Sequence, residues 1–169
     1  PSLAIVVPCY NETDALPHCL ATLGALLQEL IATKTILPSS YILFVDDGSQ
    51  DDTWKQIACA ARESIHARGL RLSRNFGHQV ALMAGLASAK TDITISLDAD
   101  LQDDIACIPI MIDKYRQGAD IVYGVRNDRT IDSIFKRSTA AFFYWLLEVM
   151  GTRQVRNHLD FRLLSQREL

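Results

Sequence analysis

With 169 residues, 49% of them hydrophobic and 22% charged, the chain has enough apolar material for one well-buried domain and too little length for two ordinary ones. A net charge of −3 gives no general reason to expect nucleic acid as a partner. Cys9, Cys19, Cys59 and Cys107 are scattered, with no CxxC pair, so neither a zinc site nor a disulfide framework is expected, and the thiols read as reduced and cytosolic.

In chain order the pattern alternates between short strand-like and longer helical stretches. Strands are predicted at residues 3–8, 41–46, 70–73, 93–98, 120–125 and, more weakly, 161–164. Helices are predicted at 13–33, 53–67, 78–89, 105–117 and 132–150, with Asp51, Asp52 and Thr53 as N-cap chemistry and Gly118 as a stop. Several strands are continuously apolar, as when helices cover both sheet faces. The expectation is a three-layer α/β domain with a mainly parallel central sheet, spanning residues 1–169. No apolar run reaches the ~20 residues needed to cross a bilayer. The start at Pro1 and the stop just after a strand suggest a piece of a longer protein.

Ligands of such sheets bind beyond the carboxyl ends of the strands. Three strand ends carry polar clusters: Pro8-Cys9-Tyr10-Asn11-Glu12, Asp46-Asp47-Gly48-Ser49, and Asp98-Ala99-Asp100-Leu101-Gln102-Asp103. Asp98 and Asp100, two apart on an extended segment, can approach one hard cation, Mg²⁺ or Mn²⁺, which commonly completes its shell with phosphate oxygens. The same pair reads also as a solvated loop that caps the next helix. Asp46 and Asp47 can accept hydrogen bonds from a base or a ribose, or simply form a turn. Tyr10 offers a platform for a base; Glu12 could equally serve the start of the first helix. Arg74 and His78 follow the third strand in RNFGHQ, and Arg74 could reach a phosphate or pair with the acidic loops.

VVPCYNE, FVDDGSQDDT, SRNFGHQVALMAGL and LDADLQD follow one another in the order and approximate spacing of the family 2 glycosyltransferases of GT-A fold. With GVRNDR, KRSTAAFFYWL and DFRLLS, nearly the whole chain resembles the polyprenyl-phosphate branch of that family. The resemblance implies a nucleotide pocket lined by Pro8, Tyr10, Glu12 and Asp47, with Asp47 bonding the base. It implies a metal, Mg²⁺ or Mn²⁺, surrounded by Asp98, Asp100 and Gln102, and a donor that is a UDP- or GDP-hexose. Asp160 matches a carboxylate that acts as base or stabilises the transition state, and Arg126 and Arg137 match residues that grip the acceptor phosphate. The branch also implies work at the cytoplasmic face of a membrane, with membrane helices C-terminal to this segment. The chain departs from the branch at Asp104-Ile105-Ala106, where a proline and a glutamate are usual.

Chemistry supports the acceptor assignment separately. Guanidinium groups bind phosphate in a bidentate, permanently charged way, and Arg126, Arg129, Lys136 and Arg137 concentrate such charge. The aromatic run at residues 142–147 behind them suits a lipid surface, the domain core or a homo-oligomer interface. The expected reaction is inverting transfer of a hexose onto a polyprenyl phosphate; transfer to a saccharide hydroxyl is the alternative. A nicotinamide-dependent oxidoreductase is disfavoured because no GxGxxG opens a helix after any strand.

Overall fold

A computed structural model describes residues 1–125 and 158–168. Six strands, β1 (Leu3–Cys9), β2 (Tyr41–Asp46), β3 (Ala67–Arg71), β4 (Ile93–Ser96), β5 (Ile121–Val125) and β6 (His158–Ser165), form one sheet in the order β3-β2-β1-β4-β6-β5. The ladders β1–β2, β2–β3 and β1–β4 are parallel, and β6 runs antiparallel to β4. Four helices are described: α1 (Leu16–Ala32), α2 (Thr53–Glu63), α3 (His78–Ser88) and α4 (Ile108–Arg116). The expected helix at 132–150 lies outside the described residues, as do Arg126, Arg129, Lys136 and Arg137.

Every residue of β1 and β2 is buried, which accounts for their near-continuous apolar sequence. On one face α3 lies over β1 and β2, with Ala81, Leu82 and Leu86 in a cluster with Val6, Tyr41, Leu43 and Val45. Gly85 permits this close approach: a Cβ there would stand 2.4 Å from the Val6 side chain and 2.8 Å from that of Val45.

The third strand departs from expectation in an instructive way. The apolar pattern carries a helix to residue 67, but α2 ends at Glu63 and β3 begins at Ala67. Ile42 N–H bonds the His66 carbonyl at 2.7 Å and the His66 imidazole nitrogen Nδ1 lies 2.9 Å from the Ser40 carbonyl. Pairing with β2 thus recruits residues whose local pattern alone favours one more helical turn. The other elements predicted within the described residues are found, most with shifted ends.

The chain leaves β1 in both directions across the sheet, through β2 to β3 on one side and to β4 on the other. This reversal is the topological switch point, where such sheets open a crevice. The β1–β4 ladder stops at Val6–Ser96, so Pro8 lies beyond it and its missing N–H leaves no gap there.

Candidate active site

The crevice at the switch point is a cleft of about 310 Å³. Its walls include Pro8, Tyr10 and Glu12 after β1, Asp47 after β2, Asn75 and His78 at the head of α3, and Asp98 and Asp100 after β4. The sequence candidates Pro8, Tyr10, Glu12, Asp47, His78, Asp98 and Asp100 thus come together; Asp46, Arg74 and Gln102 are not among the described lining.

The segment at residues 46–53 holds this arrangement together by bonding to the loops on either side. Toward the first loop, Ser49 Oγ accepts from Asn11 N (2.9 Å), Thr53 Oγ1 from Glu12 N (2.8 Å) and Asp51 Oδ2 from Thr13 N (3.2 Å), while Asn11 Oδ1 accepts from Gln50 N (2.9 Å). Asn11 meets these bonds in the left-handed region at φ 56°, which asparagine tolerates well. Toward the third loop, Asp47 is only 2% exposed, and its two carboxylate oxygens each accept a backbone amide at 2.8 Å, from Phe76 and Gly77. Gly48 sits so close to that loop, with φ +69°, that a Cβ would come within 2.4 Å of the Arg74 carbonyl carbon. Asp47 therefore fixes the RNFG turn that leads into α3, whatever else it touches.

Asp46 is fully buried, accepts from Ser49 N at 3.1 Å, and lies 3.1 Å from Arg71 Nε. That last contact is close enough for an ion pair, but its angle makes no hydrogen bond, so the oxygen facing Arg71 lacks one. Arg74 stacks its guanidinium 4.2 Å above the Phe76 ring. Sequence reasoning anticipated polar chemistry in these loops but not the pairing of Asn11 with residues 49–50, because partner choice between loops leaves no local signal.

Asp51 and Asp52 were both expected to cap α2. Asp51 does so from one position earlier, accepting from Thr53 N at 2.9 Å, whereas Asp52 makes no capping bond and pairs with Lys55. Desolvation pushes the Asp51 carboxyl up, but hydrogen bonds from Thr13 and Thr53 outweigh it and hold it down at about 2. A depressed acid stabilises the fold above its unfolded pKa of about 3.9, and that contribution fades as pH falls toward 2. Asp51→Ala is expected to cost ~0.5–1 kcal/mol at pH 7, because solvent screens so exposed a group. Urea unfolding should show the deficit shrinking between about pH 4 and 2; a deficit constant over that range would contradict it.

The loop after β4 carries the remaining carboxylates. Leu101 adopts φ 51°, an uncommon conformation for leucine that costs ~1–3 kcal/mol and is characteristic of functional turns. It folds the loop back so that Leu101 N bonds the Asp98 carbonyl (3.2 Å) and Gln102 N bonds Asp100 Oδ1 (3.2 Å). Asp98 Oδ1 stands 3.7 Å from His78 Nε2, within ion-pair range when the imidazole is protonated. Burial first, then the charges of Asp100, Asp51 and Asp98, raise the Glu12 carboxyl above the usual carboxylate range. Negative charge is therefore dense on this wall, and a divalent cation would relieve it. Among the described residues no group of three or more His, Cys, Asp or Glu side chains forms a ready metal cage. The fit is to an ion held by Asp98 and Asp100 and completed by ligand oxygens.

Cys9 also lines the cleft, but burial, with the nearby Cys19, Glu12 and Asp46, pushes its thiol far above the ordinary value, so it is not a nucleophile. All four cysteines are free. The side chains at the start of β6 are not described, but the backbone locates Asp160. Since β6 is antiparallel to β4, with Arg162 opposite Ser96, the chain enters β6 at the edge where β4 ends. Asp160 stands at that edge, the one that carries Asp98 and Asp100.

The family model for Glycosyl transferase family 2 matches residues 4–165. The uncharacterized glycosyltransferase YkoT of Bacillus subtilis is 48% identical over 171 residues, covering 100% of this chain and 51% of the relative. A bactoprenol glucosyl transferase of Shigella phage SfV is 39% identical over 165 residues, covering 97% and 52%. The chain thus spans about half the length of these curated relatives. Among solved structures, glucosyl-3-phosphoglycerate synthase from Mycobacterium tuberculosis, in complex with Mn²⁺, uridine diphosphate and phosphoglyceric acid, superposes with a TM-score of 0.63 at 18% identity, over 98% of this chain and 56% of that one. A GT-A sheet with its cleft at the switch point, and a family match over almost every residue, place the chain among the family 2 glycosyltransferases.

Proposed function

We propose that this domain transfers a hexose from a nucleotide-diphosphate sugar to a polyprenyl phosphate, with inversion at the anomeric carbon. The observation that carries the reading is the convergence of Tyr10, Glu12, Asp98 and Asp100 on one cleft at the switch point. The 39% identity to a bactoprenol glucosyl transferase supports the lipid acceptor.

Tyr10, 41% exposed at the cleft wall, offers its ring to the nucleobase. Asp98 and Asp100 would hold a Mg²⁺ or Mn²⁺ ion, with Gln102 on the same loop. When bound, such an ion neutralises charge on the departing diphosphate. Asp160, at the sheet edge where β4 ends, stabilises positive charge that develops on the sugar ring, and Arg126 and Arg137 grip the acceptor phosphate. An acceptor phosphate oxygen attacks the anomeric carbon opposite the leaving group, the new C–O bond forming as the bond to the nucleoside diphosphate breaks. That oxygen is already ionised near neutral pH, so no side chain has to remove a proton. Positioning two anions against one sugar is the main task left to the protein.

The lipid acceptor puts the reaction at the cytoplasmic face of a membrane. No helix among the described residues is long and apolar enough to cross one. The test is transfer by the full-length protein from labelled UDP- and GDP-hexoses to polyprenyl phosphate and to oligosaccharides. Label in the lipid phosphate fraction is expected; transfer only to a saccharide hydroxyl would overturn the reading and transfer the burden to Asp160 as a base.

A further inference from the structure

Residues 64–91 hold Arg68, Arg71, Arg74 and Lys90 and not one aspartate or glutamate, in a chain whose net charge is −3. Within that stretch α3 buries Ala81, Leu82, Gly85 and Leu86 toward the sheet. Its opposite side leaves Val80 49% and Met83 59% exposed, with Phe76, just before the helix, 42% exposed. Val80, Met83 and exposed Ala87 recur at helical spacing along that side, and exposed Phe76 precedes the helix before Gly77.

Cations frame this surface. Arg74 lies over the Phe76 ring at its head, and Lys90 follows the helix at its foot. Arg68 lies 3.6 Å over the ring of Tyr41, which belongs to the core cluster under α3, so it faces the same side of the sheet. Single exposed apolar side chains are ordinary on proteins. Three large ones between residues 76 and 83, bordered by cations over a stretch free of acids, are a different surface.

We propose that the outer face of α3 docks on an anionic lipid bilayer, with Phe76, Val80 and Met83 entering the headgroup–acyl boundary and Arg68, Arg74 and Lys90 meeting lipid phosphates. Charge selects this occupant. A second copy packed two-fold on the same face would bring Arg74 opposite Lys90, with no carboxylate in the stretch to pair either. A bilayer supplies both the apolar depth and the negative charge. The same segment contributes Gly77, His78 and Ala81 to the cleft, so docking would hold the active site near the bilayer plane. The surface goes beyond the acceptor reading, and the two can fail separately.

The test is flotation of the 169-residue chain with vesicles of equal parts phosphatidylglycerol and phosphatidylcholine, against phosphatidylcholine alone, at low and high salt. Binding to the anionic vesicles that weakens with salt is expected. The double variant Val80→Asp/Met83→Asp should lose about tenfold or more in partition, and Lys90→Glu about fivefold. Thermal unfolding and titration with UDP and Mn²⁺ accompany each variant, since none of these positions lines the cleft. Undiminished partition of the folded double variant would overturn the proposal. So would a chain that ignores anionic vesicles at low salt, or one whose self-association, rather than vesicle binding, disappears in the double variant. A chain that floats with vesicles but binds no nucleotide would sink the donor reading and leave the docking surface standing.

Discussion

Replacing Asp100 with alanine is expected to lower sugar transfer by about 10²–10³-fold, the usual cost of removing one group that stabilises transition-state charge, with little change in stability. The residue is exposed, and among the described residues its side chain makes one bond, a 3.2 Å contact from the Gln102 amide in its own loop. Little folding energy therefore depends on it. Its carboxylate faces the cleft that Asp98 and Glu12 share, where negative charge already raises the Glu12 carboxyl. Asp100→Asn separates charge from shape: it keeps size and an acceptor oxygen but should be nearly as impaired. Turnover with labelled donor, beside nucleotide titrations with and without Mn²⁺, checks both. Full activity in the asparagine variant would remove Asp100 from the metal set.

Asp47→Ala should be the most damaging of the site substitutions for stability, by about 2–6 kcal/mol. The estimate counts two amides, Phe76 N and Gly77 N, each losing a charged acceptor at 2.8 Å, at roughly 1–3 kcal/mol per orphaned donor. Asp47→Asn retains one acceptor oxygen and should fall between the variant and the parent. The turn that Asp47 fixes carries Asn75 and His78 into the cleft wall, so nucleotide affinity should fall in the same order. Urea unfolding at unchanged slope measures the first effect and calorimetry the second. A stable Asp47→Ala chain with weakened nucleotide binding would assign Asp47 to direct contact with the base rather than to the turn.

These two aspartates show how sequence and structure divide the information. Both were legible as site candidates, because a carboxylate straight after an apolar strand in an α/β pattern stands where ligands collect. Their different surroundings were not. Asp100 lies in an exposed loop, while Asp47 is spent on two amides thirty residues away in sequence. The β3 boundary tells the same story, since a ladder to β2 overrode a helical pattern.

The sequence by itself determined the α/β class, the mainly parallel sheet, the strand-end clusters and the family, because these follow from local periodicity and from motifs whose order survives in the chain. Tertiary structure alone decided that β1 and β4 part at the switch point, that residues 46–53 tie the first and third loops together, and that α3 turns an apolar, basic-edged face outward. Each of those depends on which distant groups meet. Hydrogen-bond partners and buried faces are properties of pairs in space, and no single stretch of residues encodes them.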